Sequence, residues 1–274
     1  MVVADRTEGE TMVDPGRRAA LAALSPAAAG LTPCPAASAS TPEAAASGRT
    51  EWRSGRAPAG PCPPAELLGD EIRRIPTSRK VVALTFNAAW DESGIDTVLG
   101  ELRRRKLSAT FFPTGRFAEE HPAAVRAMGA AHGLGNHSYS HLYFDELSTE
   151  ERAQEVRRAD AAIRAASGAE PLPFFRFPYG ATSEESVADV NDLGYAAIEF
   201  TTDTNGYLGP AGGMSVDEAT RRAVDALTPG AILQMHVGST GDGVVIDAQA
   251  LPRIIDAVRE EGYEVVDLRG LMPG

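Results

Sequence analysis

Val81-Val82-Ala83-Leu84-Thr85-Phe86, followed by Ile95, Val98, Leu99 and Leu102, is the stretch that decides the fold. A short β-branched and aromatic run gives way to apolar residues at i, i+3, i+4 and i+7, which reads as a strand and then a helix with one apolar stripe. The alternation recurs along the chain. Strands are expected at 81–86, 109–112, a short run ending at His137, 174–177, 196–202, 231–236 and 264–268. Helical patterns fall between them, at about 123–131, 184–193, 216–227 and 248–261. Ser148 and Glu151 offer a capping box for a further long helix to about Ala166, which Gly168 can end. Repeated βα units predict an α/β fold with a parallel sheet. A distorted, incomplete (β/α) barrel of about seven parallel strands fits better than an open sheet, although periodicity allows both.

The 274 residues, 43 % hydrophobic and 23 % charged, are enough for one large domain plus extra sequence. A net charge of −12 argues against nucleic acid or an anionic membrane surface as partner. Residues 1–70 read as a leader and low-complexity linker, and 71–274 as the functional domain. The Ala, Pro, Ser and Gly of the first segment cannot bury enough apolar surface to order themselves, so disorder is expected there. Arg17-Arg18 precedes a mildly apolar run from Ala19 to Leu31, the layout of a secretory signal, though Ser25 and Pro26 interrupt it. Met12 is an alternative start, and Pro33 before Cys34 fits a lipoprotein cleavage site poorly. A secreted or envelope-associated protein is expected, in which Cys34 and Cys62 could pair. No apolar run is long enough to span a membrane.

Polar residues gather where strands end. Asn87 and Asp91 follow the first strand, His137 and His141 the third, Arg176 lies in the fourth, Asp203 follows the fifth and His236 ends the sixth. In parallel barrels the carboxyl ends of the strands carry the active site. In Gly135-Asn136-His137-Ser138-Tyr139-Ser140-His141, a helical turn or a tight strand-to-helix corner would bring both imidazoles to one side, as a metal pair requires; a capped surface turn has the same spacing. Asp91 could complete a His, His, carboxylate set. Equally, Asp91, Glu92 and Ser93 open a helix, where negative charge is favoured. His236 ends a mostly apolar run, and Asp203 could orient it as a general acid; a structural histidine is the other reading. Arg176, among Phe174, Phe175 and Phe177, needs a carboxylate nearby. Pro178-Tyr179-Gly180 could aim a backbone N–H at an oxyanion or be a plain turn.

Together these residues resemble the motifs of the NodB-like polysaccharide deacetylases, the family-four carbohydrate esterases, in order and over about residues 81–268. The family's Thr-Phe-Asp-Asp-Gly corresponds to Thr85-Phe86-Asn87-Ala88-Ala89-Trp90-Asp91. His137-Ser138-Tyr139-Ser140-His141 and Arg176-Phe177-Pro178-Tyr179-Gly180 match intact, and Asp203 and His236 supply the last two motifs, with Gln234 where Leu is usual. The first motif departs: the family's first Asp is the general base and its second a metal ligand, whereas this chain has Asn87 and Ala88.

The resemblance implies a metal-dependent hydrolase that removes N-acetyl groups from an N-acetylglucosamine polymer such as peptidoglycan or a chitin-like glycan. One divalent ion, zinc or cobalt, would sit on His137, His141 and Asp91. Asp91 would serve as ligand or as base, with Asn87 holding the water and Arg176 partnered by Asp91 or a substrate group. Tyr179 would supply an oxyanion N–H, and His236, steered by Asp203, would protonate the departing amine. Trp90, Tyr143, Phe144 and Tyr207 are candidates to stack on sugar faces. A monomer acting on polysaccharide is expected. The alternatives are an O-acetyl esterase on acetylxylan and a catalytically impaired glycan-binding relative.

Overall fold

The computed structural model describes residues 62–240 and 243–272. The leader-like segment and Cys34, with its pairing to Cys62, lie outside the described residues. Among those described are eight strands and seven helices. The first strand, β1 (Val81–Ala88), is buried along its whole length. A strand covered on both faces has no polar side to show, which is why it reads as a nearly unbroken apolar run.

All pairings between the named strands are parallel. β2 (Thr110–Pro113) and β8 (Glu264–Val266) share one edge of β1, with β2 beside its second half and β8 beside its first. The other edge carries β7 (Ala231–His236), and the order β3 (Gly133–Leu134), β2, β1, β7, β6 (Thr202–Asp203) makes the main sheet. A second pair joins β4 (Phe174–Phe175) to β5 (Ala196–Ala197). A bridge from Asn136 to Phe175 links the two sheets: Asn136 N–H donates to Phe174 O at 2.9 Å, and Arg176 N–H to Asn136 O at 2.9 Å.

The strand expected at 196–202 is two strands. After β5 the chain changes partner: Thr201 N–H donates to Ile232 O (2.8 Å) and Thr204 N–H to Gln234 O (3.0 Å), so β6 lies on β7. Residues 72–75, which carry no strand pattern, enter beside β5 and β7. Ile72 N–H donates to Ala197 O (2.8 Å), Glu199 N–H to Ile72 O (3.0 Å) and Ile75 N–H to Gly230 O (2.8 Å). Gly230 is required there, since a Cβ would lie 2.1 Å from Ile75 O.

The helices are α1 (Ile95–Arg105), α2 (Gly115–Glu120), α3 (Pro122–Gly129), α4 (Thr149–Ser167), α5 (Glu184–Asp192), α6 (Val216–Asp225) and α7 (Ile246–Glu260). The Ser148–Glu151 capping box starts α4, and Gly168, at φ 67°, ends it. Helix α2 is too short to show a period; its start is fixed by Thr114, whose side chain accepts from Phe117 N–H. No helix among the described residues is long and apolar enough to cross a membrane.

Strand alternation sets the position of the site. Val82, Leu84 and Phe86 point into the larger core with α1, α3 and α7, while Ala83 joins Phe112, Phe174, Ile198 and Ile232 in a second cluster. Thr85 and Asn87 share the face of Ala83, and Gln234 and His236 share that of Ile232. That inner face thus turns from apolar to polar toward the carboxyl ends of β1 and β7.

Candidate active site

A cleft of about 280 Å³ opens at those ends, lined among others by Asn87, Asp91, His137, His141, Asp203 and His236. Strand register sets Asn87 directly beside His236. All the candidate residues except Tyr143, Phe144 and Arg176 line the cleft wall; Arg176 lies behind it, fully buried.

The guanidinium of Arg176 ties three parts of the fold together. Nη1 donates to Thr85 Oγ1 (2.9 Å) and Asn87 Oδ1 (3.1 Å), Nε to Ile198 O (3.1 Å) and Nη2 to Glu199 O (3.2 Å). It also lies 4.1 Å from the centre of the Phe112 ring. Burial lowers its pKa to about 10, against the pull of the Glu199 and Asp203 carboxylates. Its direct side-chain partner at the cleft is therefore Asn87 rather than Asp91.

Glu199, which no pattern singles out, is a carboxyl group hidden behind the same wall. Oε1 accepts the Phe177 N–H at 2.9 Å, Oε2 is buried without a hydrogen-bond partner, and burial raises the pKa from 4.5 to about 7 despite the opposing charge of Arg176. The folded protein then prefers protonated Glu199 more than the unfolded chain does. Below pH 4.5 the difference vanishes, and stability falls as pH rises through the window up to about 7. In urea titrations, the stability gap between wild type and Glu199→Gln should move by about 3 kcal/mol toward the variant between about pH 4 and pH 8. A gap independent of pH would show that the fold does not raise the Glu199 pKa.

The two histidines lie on an irregular corner, not a helical turn. Ser138 and His141 hold left-handed backbones, φ 65° and 60°. Glu155 of α4 pins the loop: Oε2 accepts the N–H groups of Tyr139 (3.0 Å) and Ser140 (2.6 Å), and Oε1 the Ser140 hydroxyl (2.9 Å). His137 Nδ1 lies 2.9 Å from Arg176 O; with Nδ1 as the donor, the Nε2 lone pair is left free. That Nε2 is buried without a partner, as is His141 Nδ1, and the ring centres are 4.8 Å apart. Burial, and then His141, holds the His137 pKa well below its usual value; burial, and then His236, lowers that of His141 to about 4. Neutral imidazoles with unsatisfied nitrogens suit a divalent ion.

Asp91 is not brought into that set. Among the described residues no three His, Cys, Asp or Glu side chains are grouped to hold an ion. Its Oδ1 accepts Ser93 N–H (3.0 Å), and Oδ2 accepts the Ser93 hydroxyl (2.6 Å) and Ser239 N–H (3.1 Å). Partial desolvation pushes its pKa up, but the Ser93 and Ser239 bonds outweigh it and the net shift is downward. Asp91 thus lines the cleft from the loop before α1; the helix is capped by Gly94 and carries Asp96 in its first turn, so Asp91 does not fill the helix-start role that its sequence position also allowed.

Aromatic side chains rim the opening. The ring centres of Trp90 (57 % exposed) and His141 are 4.7 Å apart in an edge-type contact, and that of Tyr179 (54 %) lies 4.5 Å from His141 and stacks on Tyr143 at 4.0 Å. Tyr207 packs 4.6 Å from His236. Phe144 is not on the rim: it is fully buried with Phe175 and Phe177 and cannot meet a sugar. Tyr179 adopts φ 61°.

Residues 74–198 match the family model described as Polysaccharide deacetylase. The chain is 27 % identical over 194 residues to a peptidoglycan-N-acetylglucosamine deacetylase of Bacillus cereus, covering 70 % of this chain and 68 % of that one. It is 26 % identical over 212 residues to a chitooligosaccharide deacetylase of Azorhizobium caulinodans, covering 74 % and 99 %. Its fold is similar to that of a CE4 family pseudoenzyme of Bacillus anthracis (TM-score 0.67, 28 % identity, covering 75 % and 69 %), a mutant of which has restored activity. With its motifs at the strand ends of a matching fold, the chain is similar in sequence and in structure to the NodB-like polysaccharide deacetylases, the family-four carbohydrate esterases.

Proposed function

We propose that the protein removes N-acetyl groups from an N-acetylglucosamine glycan of the cell envelope, peptidoglycan or a chitin-like polymer. The observation that carries this reading is the convergence of His137, His141, Asp91 and His236 on one cleft with an aromatic rim. A divalent ion, zinc or cobalt, held by His137 and His141 would supply Lewis acidity. Trp90, Tyr143 and Tyr179 present open ring faces and edges to the sugar. Asn87, fixed by Arg176, positions water but takes no proton, because an amide is not a base at neutral pH. Asp91 is left to accept it, and its hydrogen bonds make it a weak base. His236 carries the proton that the departing amine needs.

A second reading is favoured by one feature: the residue that Arg176 holds is an amide, as though the base had been lost from an intact glycan cleft. The likeness to a pseudoenzyme supports it.

Acetate release from N-acetylglucosamine oligomers and from peptidoglycan separates the readings, using the full chain stripped of metal and resupplied with zinc or cobalt, beside Asp91→Asn. Metal-restored release that the variant loses supports the hydrolase. Oligosaccharide binding without release from these or from acetylxylan supports the silent relative.

Calorimetric titration with zinc provides a separate prediction. His137→Ala or His141→Ala should weaken binding at least ~10-fold, whereas Asp91→Ala should change it less than about threefold, since ligand loss is costly and the Asp91 oxygens are occupied elsewhere. A large loss in Asp91→Ala would return it to the ligand set.

A further inference from the structure

We propose that Asp247, on the first turn of α7, is the positioning carboxylate of His236. The inference rests on the deacetylase reading for its kinetic consequence, though not for its geometry. Asp203 lies 3.8 Å from His236 Nδ1 and bonds no atom of His236: Oδ1 accepts Asn205 N–H (2.8 Å) and Oδ2 accepts Gln234 Nε2 (2.8 Å). Gln234, which stands where the family's Leu is usual, is thus the residue that draws Asp203 aside.

Asp247 is closer and more deeply placed. It is fully buried, with Oδ2 accepting the His236 backbone N–H at 2.8 Å and lying 3.6 Å from Nδ1, while Oδ1 accepts the Thr204 hydroxyl at 2.6 Å. One oxygen therefore grips the main chain of His236 and faces its ring. A buried carboxylate needs compensation, and no Lys or Arg among the described residues pairs with Asp247. The start of α7 favours negative charge, and protonated His236 is the cation within reach. His236 Nδ1 itself is buried without a hydrogen-bond partner, so a small ring rotation toward Oδ2 would satisfy it.

Gly206 makes room for this arrangement. A Cβ at that position would lie 2.2 Å from Asp247 Oδ1. Residue 206 and Asp247 compete for one volume, and the missing side chain admits the carboxylate.

Two measurements test the assignment. The first compares turnover of N-acetylglucosamine oligomers with that of 4-nitrophenyl acetate, whose leaving group needs no proton. Asp247→Asn should lower the amide-to-ester ratio of kcat at least ~10²-fold with KM within about threefold, and Asp203→Asn should lower it less. Gly206→Ala, whose methyl group displaces the carboxylate but keeps its charge in the chain, should reproduce the loss and guards against misfolding of the first variant. The second measurement is the ¹⁵N spectrum of histidine-labelled full chain without metal, with His236 assigned by His236→Gln. The ring nitrogen that carries the proton should change in Asp247→Asn and not in Asp203→Asn.

An unchanged ratio in both Asp247→Asn and Gly206→Ala, or a His236 spectrum that responds only to Asp203→Asn, overturns the assignment. If wild type turns over neither substrate, the hydrolase reading fails, and the spectrum alone still decides which carboxylate holds His236.

Discussion

Asn87→Asp is expected to raise kcat/KM for acetate release by about 10²–10⁴-fold, the usual contribution of a placed general base. The position is already built for a carboxylate. Asn87 is buried at the end of β1, beside His236 in register, and its Oδ1 takes a hydrogen bond from Arg176 at 3.1 Å. A carboxylate of nearly the same shape would keep that bond, gain a charge-assisted partner and offer its second oxygen to water. Asp91 would then be relieved of a task for which its Ser93 and Ser239 bonds make it poorly suited. Acetate assays on glycan oligomers, with metal supplied, measure the gain directly. A rate equal to wild type, with metal bound, would remove residue 87 from the reaction.

Arg176→Ala should destabilise the fold by about 4 kcal/mol, because it breaks a buried, charged hydrogen-bond network and leaves a cavity. The change would strand Ile198 O, Glu199 O, Thr85 Oγ1 and Asn87 Oδ1 without their donor. It would also remove the charge that opposes the raised pKa of Glu199. Urea unfolding of the variant beside wild type tests this, and a loss under about 1 kcal/mol would show that water takes over the network. Both substitutions act on one assembly: Arg176 is first a structural tie between β1 and the segment after β5, and through that tie it sets where residue 87 points.

Much of the molecule was legible because the signals are local. The buried run of β1, the apolar stripe of α1 and the Ser148–Glu151 capping box each depend on residues a few positions apart, so periodicity and spacing report them. The same holds for the placement of Asn87, His137, Asp203 and His236 near strand ends. The HxxxH spacing put two imidazoles on one side, but the corner that aims them needs Glu155 from α4, and nothing in residues 137–141 points to it.

The single strand expected at 196–202 became two because residues 196–197 and 202–203 bond to different neighbours, a choice made by the closing of the sheet and not by the run itself. Asp91 sat near enough in sequence to be a ligand, yet Ser239 arrives from 148 residues along the chain and, with Ser93, holds its carboxylate in the loop before α1. Glu199 and Asp247 carry no motif at all.

The sequence by itself thus determined the order of elements, the face on which the polar residues gather and the family that the chain resembles. Only the tertiary structure decided which carboxylate meets which cation. Apolar burial repeats with the period of the backbone and leaves a trace along the chain, whereas a buried charge is settled by whichever donors packing brings within about 3–4 Å, however distant in sequence.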